Sequence, residues 1–188
     1  VDRDRRFQVS VLAVLLGLFG LLYFAGYLIY ERSSRATEGT HRMQCAAHLR
    51  QIGQAALLYA NAQRDGRYPQ ATADLFSAAE LDPAALLCSH EEDRLPRSTR
   101  PQQIAWAVAN SSYTYAGASL TDRRPAGYVI AFERPGLHAA DSTSSGLIIP
   151  AGGNVLINDG TVEYVGDDVL RALAVAHARG ERPLRLPK

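Results

Sequence analysis

Apolar and polar positions divide this chain into three stretches of different period. Residues 7–30 (FQVSVLAVLLGLFGLLYFAGYLIY) carry no charge, and only Gln8 and Ser10 are strongly polar. As a helix this stretch measures about 36 Å, against a bilayer core of about 30 Å. The pattern therefore predicts a transmembrane helix, preceded by a short tail over residues 1–6. Tyr23, Tyr27 and Tyr30 stand at its far end, where an interfacial aromatic belt would lie. The run is also longer than the apolar core of a cleaved signal peptide, so a retained anchor is expected.

Residues 31–40 (ERSSRATEGT) are polar and read as a stalk or linker, either flexible or the continuation of one long helix, with Thr40 able to cap a second helical stretch. Over residues 41–63 the period becomes helical. Cys45, Leu49, Ile52, Ala56 and Tyr59 follow one another at spacings of four and three and so share a stripe. Asp65-Gly66 ends the stretch. A short helix is expected over residues 72–79, and another after Asp82-Pro83, where aspartate caps and proline takes the first helical position. Residues 89–101 read as an exposed loop.

The second half then alternates. Strands are expected over residues 104–109, 112–116, 128–133, 154–157 and 161–165, with a long loop over residues 134–146. The last two strands flank Asn158-Asp159-Gly160, a hairpin turn in which Gly160 supplies the positive φ. A helix capped by Asp167 or Asp168 runs to about Ala178, and residues 180–188 form a basic, proline-bearing tail. The fold class expected is α+β: one N-terminal transmembrane helix, then a domain over residues 41–179 with a long amphipathic helix on an antiparallel sheet and a C-terminal helix.

A net charge of +1 gives no global field for nucleic acid. Lys188 is the only lysine, so the basic character is arginine. Met43 is the only methionine, and Val1 is small enough to follow removal of a preceding Met. Arginines flank both ends of the apolar run almost equally. The short arginine-bearing tail before it and an even cysteine count favour a cytoplasmic N-terminus and a periplasmic domain at a bacterial inner membrane.

The segments Cys45-Ala-Ala-His-Leu-Arg-Gln-Ile-Gly53, Tyr59-Ala-Asn61, Asp65-Gly-Arg-Tyr-Pro69, Leu87-Cys88-Ser89, Ser112-Tyr-Thr-Tyr115 and Asn154-Val-Leu-Ile-Asn-Asp-Gly-Thr-Val-Glu-Tyr-Val165 carry a resemblance. The chain resembles planctomycete-type pilin-like and pseudopilin-like proteins with a prepilin-type helix and a C-terminal H-X9-DG domain. The resemblance covers roughly residues 40–166. It departs at the helix start, Arg6-Phe7-Gln8-Val9-Ser10, which lacks the glycine of a prepilin peptidase site and the acidic registry residue. It departs again at His138, which lies twenty residues before Asp159. The resemblance pairs Cys45 with Cys88 as a disulfide, which would close a loop of about 43 residues and contribute roughly 3–4 kcal/mol.

Candidate chemistry is sparse. The run His90, Glu91, Glu92 and Asp93 has metal-capable side chains without ligand spacing, and reads as a solvated loop. His138 and Asp141 suggest acid–base work, but no nucleophile can be placed beside them. No catalytic, cofactor-binding or metal residues are assigned, and no enzyme activity is expected. Ala13, Gly17 and Gly20 present a small-residue face for helix packing. Arg179, Arg182, Arg185 and Lys188 form a tail suited to docking on a partner. The function expected is a non-catalytic, membrane-anchored accessory subunit of a larger inner-membrane complex, for which a respiratory or photosynthetic assembly is one setting. Its partners would be other membrane-protein subunits and the lipid bilayer, with no nucleic acid. The alternative is a pseudopilin or minor pilin of a secretion or pilus filament.

Overall fold

The computed structural model describes residues 2–89, 91, 94–138, 140–142 and 148–186, with side chains for all of these but 2–15, 28–37, 78, 119, 141–142 and 148. The chain divides into two units, Val1–Thr37 and Glu38–Lys188. Helix α1 is assigned over Asp2–Ala62. No helix starts at Thr40, because the stretch 31–40 holds no proline and its one glycine, Gly39, does not stop the helical hydrogen bonding.

In the first unit the described side chains are those of residues 16–27. Leu16, Phe19, Leu22, Tyr23 and Phe24 are each more than half exposed. Among the described residues no helix is long and apolar enough to cross a membrane. This overturns the transmembrane helix expected over residues 7–30.

The second unit is α+β. Strands β1 (Tyr113–Tyr115), β2 (Val129–Glu133), β5 (Gly152–Ile157) and β6 (Val162–Gly166) form one antiparallel sheet in the order β1-β2-β5-β6. Two short strands, β3 (Asp141–Ser142) and β4 (Ile148–Ile149), pair with each other between β2 and β5, the first of them inside the expected long loop. The two central strands are buried along their whole length, since helices cover both sheet faces. On one face Cys45, Leu49, Ile52 and Ala56 of α1 pack with Tyr113, Ile130 and Leu156. Four of the five stripe residues are buried as expected, and Tyr59 is half-buried. On the other face Leu170 and Leu173 of α4 (Asp167–Ala178) pack with Val129, Phe132 and Val155.

The short pieces follow local chemistry. Asp82 Oδ1 accepts from Ala84 N–H at 3.0 Å and opens the 3-10 turn Pro83–Leu86. The strand expected over residues 104–109 is instead helix α3 (Arg100–Ala109), with helix α2 (Leu75–Ala78) before it. Thr99 and Gln102 make a capping box there and Pro101 sits in the first turn, so start signals outweigh the β-branched content of Ile104 and Val108. Gly166 caps α4, while Asp167 and Asp168 lie in its first turn. The turn between β5 and β6 holds Gly160 at φ +86°. Gly152 is fixed by close approach instead: a Cβ there would lie 2.0 Å from the Val165 carbonyl oxygen.

Candidate functional site

Four segments distant in sequence meet where α1 joins the domain. Cys45 lies on the buried stripe of α1, and Cys88 follows the Pro83–Leu86 turn. Cys88 is positioned by its own N–H, which donates to Ser112 Oγ at 2.7 Å. Glu133 ends β2, and His138 sits in the loop beyond, where its carbonyl accepts from Gly152 N–H. Cys45, Cys88, Glu133 and His138 are each at most 1% exposed.

The two sulfurs are in contact at 2.8 Å and are not joined by a disulfide in this structure. His138 Nε2 lies 3.9 Å from Cys88 Sγ and 3.4 Å from Glu133 Oε2. The Nδ1 of the same ring is 2.9 Å from Glu38 Oε1, and Glu38 also takes Arg42 Nε at 3.1 Å. Glu133 is held from its other side by Asn154. The Asn154 backbone N–H donates to Oε2 at 2.9 Å and Nδ2 to Oε1 at 2.7 Å. Gly153 makes room for this carboxylate, since a Cβ would come 2.5 Å from Glu133 Oε2.

The electrostatics follow from this crowding. Cys45 is held well below the usual thiol range, chiefly by the hydrogen bond from Cys88; burial opposes, and His138, the Ser89 N–H and Tyr113 add to the effect. For His138 burial acts to lower the pKa, yet hydrogen bonds with Cys45 and Glu133 and the charges on both outweigh it, and the imidazole is pushed up to about 10. The cluster thus combines soft sulfur, imidazole and carboxylate donors in a place closed to solvent. It can hold a metal ion or undergo thiol chemistry. Its reacting atoms are buried in this structure.

The other sequence candidates are placed elsewhere. His138 meets Glu38 and Glu133; the side chain of Asp141 is outside the described residues. Of the acidic run, His90, Glu92 and Asp93 are outside the described residues, while Glu91 binds Arg94, Arg134 and Ser112. Asp159 and Gly160 form the expected turn and border a groove of about 270 Å³ with Arg50, Gln54, Leu57 and Asp122. Gly17 and Gly20 are open, with nothing within 4 Å of a Cβ at either; the side chain of Ala13 is outside the described residues. The arginines of the basic tail are exposed and make contacts within the chain. Arg185 stacks 4.3 Å from the Tyr128 ring centroid, Arg182 reaches His177, and Arg179 pairs with Glu181 at 4.0 Å. Lys188 is outside the described residues.

No family model matches the chain, and no curated protein or solved structure matches it either.

Sequence reasoning missed Glu133, Glu38 and Asn154. One signal for Glu133 stands in the chain itself: an acidic residue closing the apolar run Val129-Ile-Ala-Phe132, in a strand that reads as buried on both faces. Glu38 lies in the polar stretch that reads as a stalk and carries no such mark.

Proposed function

We propose that this chain is a non-catalytic structural subunit of a larger protein assembly, in which an apolar helical segment packs against partner polypeptides and a pilin-like α+β domain serves as the interaction module. The observation that carries this reading is the described part of the first unit. Leu16, Leu18, Phe19, Leu21, Leu22, Tyr23, Phe24 and Tyr27 are 52–75% exposed and point to every side of the helix. A helix that is apolar all round is a buried helix, so these exposed side chains call for a covering. Gly17 and Gly20 add close-approach positions of the kind that helix–helix contacts use.

Two further observations favour a structural role over an enzymatic one. The one cluster of nucleophilic and titratable side chains described above is closed to solvent. The long helix laid on an antiparallel sheet is also the arrangement that the pilin-like resemblance implies.

The test is photo-crosslinking in cells, with a photoreactive residue placed in turn at Leu18, Leu22 and Phe24. Adducts to one or a few defined polypeptides at these positions, and their absence when the probe sits at exposed Glu163 of the domain, are the expected result. Adducts to lipid alone, or no protein adduct at any of the three positions, would sink the subunit reading. Adducts exclusively to further copies of this chain would turn it toward the filament alternative.

A further inference from the structure

We propose that Cys45, Cys88, His138 and Glu133 form a structural site for a four-coordinate divalent metal ion of the zinc class. The inference is independent of the assembly reading. It starts from the donor set, two sulfurs, one imidazole nitrogen and one carboxylate oxygen, which is the set that a thiophilic ion with tetrahedral preference takes. The Cys45, Cys88 and His138 donor atoms already lie within 4.8 Å of one another.

The separations can be compared with those of a tetrahedron. With metal–sulfur bonds of about 2.3 Å and metal–nitrogen or –oxygen bonds of about 2.0–2.1 Å, sulfur–nitrogen edges come to about 3.5 Å and nitrogen–oxygen edges to about 3.4 Å. The structure has 3.9 Å between Cys88 Sγ and His138 Nε2, and 3.4 Å between His138 Nε2 and Glu133 Oε2. The sulfur–sulfur edge would be about 3.7 Å, against 2.8 Å here. Binding therefore parts the two sulfurs by about 1 Å, while the Cys88–His138 and His138–Glu133 separations already lie near their tetrahedral values.

The surroundings supply what a ligand set needs beyond its own atoms. A metal-bound histidine is oriented by a carboxylate on its other ring nitrogen, and Glu38 stands on His138 Nδ1 at 2.9 Å. Glu133 is fixed through both oxygens by Asn154, in space that Gly153 leaves open. The ion would displace protons from the donors and neutralise a carboxylate and two sulfurs that otherwise share a buried place. All four positions are filled by protein, which marks a structural site: it would join α1, the Cys88 segment, β2 and the loop ahead of β5. A disulfide between the same sulfurs would use neither His138 nor Glu133.

The experiment uses the full chain in two arms. In the first, protein purified without chelator is denatured under thiol-blocking conditions, and its metal content and alkylated cysteines are counted. One zinc per chain with two alkylated cysteines is expected. In the second, reduced, metal-stripped protein is titrated with Co²⁺ and then Zn²⁺. A thiolate-to-cobalt charge-transfer band with a four-coordinate visible spectrum, bleached by one equivalent of Zn²⁺, is expected. Glu38→Gln keeps all four donors and should weaken Zn²⁺ binding about 10–100-fold, with its far-UV circular dichroism unchanged. The proposal is overturned by a Cys45–Cys88 disulfide in the isolated protein, seen as a cross-link between tryptic peptides 43–50 and 68–94. It is overturned equally by two free thiols that take up no stoichiometric Co²⁺ or Zn²⁺, or by binding that Glu38→Gln leaves unaltered.

Discussion

Glu133→Gln should destabilise the domain far more than its near-identity of shape suggests. The carboxylate accepts one hydrogen bond on each oxygen, from the Asn154 backbone N–H at 2.9 Å and from Asn154 Nδ2 at 2.7 Å. A carboxamide has one acceptor oxygen. Whichever way it is turned, its NH₂ faces one of these donors, and a buried donor left without an acceptor costs about 1–3 kcal/mol. The substitution also removes one partner of a fully buried ion pair, the one with His138 Nε2 at 3.4 Å. Breaking such a pair costs about 3–5 kcal/mol. The two costs overlap, because Glu38 on Nδ1 still supports the imidazole, so the expected loss is about 4 kcal/mol from a total of roughly 5–15 kcal/mol.

For a domain of this size that loss lowers the midpoint of thermal unfolding by roughly 8–16 °C. The assay is denaturant and thermal unfolding followed by circular dichroism, on reduced protein with chelator present so that no metal contributes. Asn154→Ala in the same background completes a double-mutant cycle, and a coupling above about 1 kcal/mol is expected for groups that share two hydrogen bonds. A loss below about 1 kcal/mol for Glu133→Gln would refute the reasoning. It would mean that water or a rearranged Asn154 satisfies the carboxylate, and that the sealed character of the cluster does not hold in solution.

Other substitutions probe separate parts of the fold. Among the described residues Tyr115 OH is buried without a hydrogen-bond partner, so Tyr115→Phe should be neutral or stabilising by about 1 kcal/mol in denaturant unfolding. Gly152→Ala drives a methyl against the Val165 backbone carbonyl, which cannot yield without parting β5 from β6; a loss above about 2 kcal/mol is expected by the same assay. Phe132→Ala empties the face covered by α4 and should cost about 3–5 kcal/mol. His177 titrates below its usual range, first through burial and then through Arg182, with its bond to the Tyr115 carbonyl acting the other way. Its neutral form is the one the fold favours, so its contribution is present above the unfolded pKa of about 6.5 and is lost as pH falls through that value and below. His177→Gln should remove that acid-side slope from a plot of stability against pH.

What the sequence made legible is what depends on neighbours in the chain. The stripe Cys45, Leu49, Ile52 and Ala56 marks the buried face of α1 because helical spacing alone aligns it. The Asp159-Gly160 turn, the flanking strands and the α4 helix follow from local periodicity and turn chemistry in the same way. Where two local signals disagreed, at residues 104–109, the capping residues Thr99 and Gln102 prevailed over side-chain branching, because a capped start satisfies backbone donors that a strand there would have had to pair elsewhere. The apolar run at residues 7–30 shows the opposite limit. Composition and length alone argued for a span, but the described residues hold no helix long and apolar enough for one.

Apart from the two cysteines, which the resemblance had already paired, the cluster was not legible for a physical reason. Glu38 and His138 meet across a hundred positions, and Cys45 and Cys88 across forty-three. No spacing rule reaches that far; only the sheet register and the path of the loop after β2 bring these groups together. The local warning was Glu133, a carboxylate at the end of a strand buried on both faces. A charge in such a place must be met by hydrogen bonds or a counter-charge, since the cost of leaving it bare would exceed what one strand contributes. Burial alone therefore obliges Glu133 to have partners, and the fold supplies them as Asn154 on one side and His138 on the other. Cys88 Sγ lies 3.9 Å from the same ring nitrogen, Nε2, that faces Glu133, and so the demand that fixes the carboxylate also holds an imidazole nitrogen beside the sulfurs.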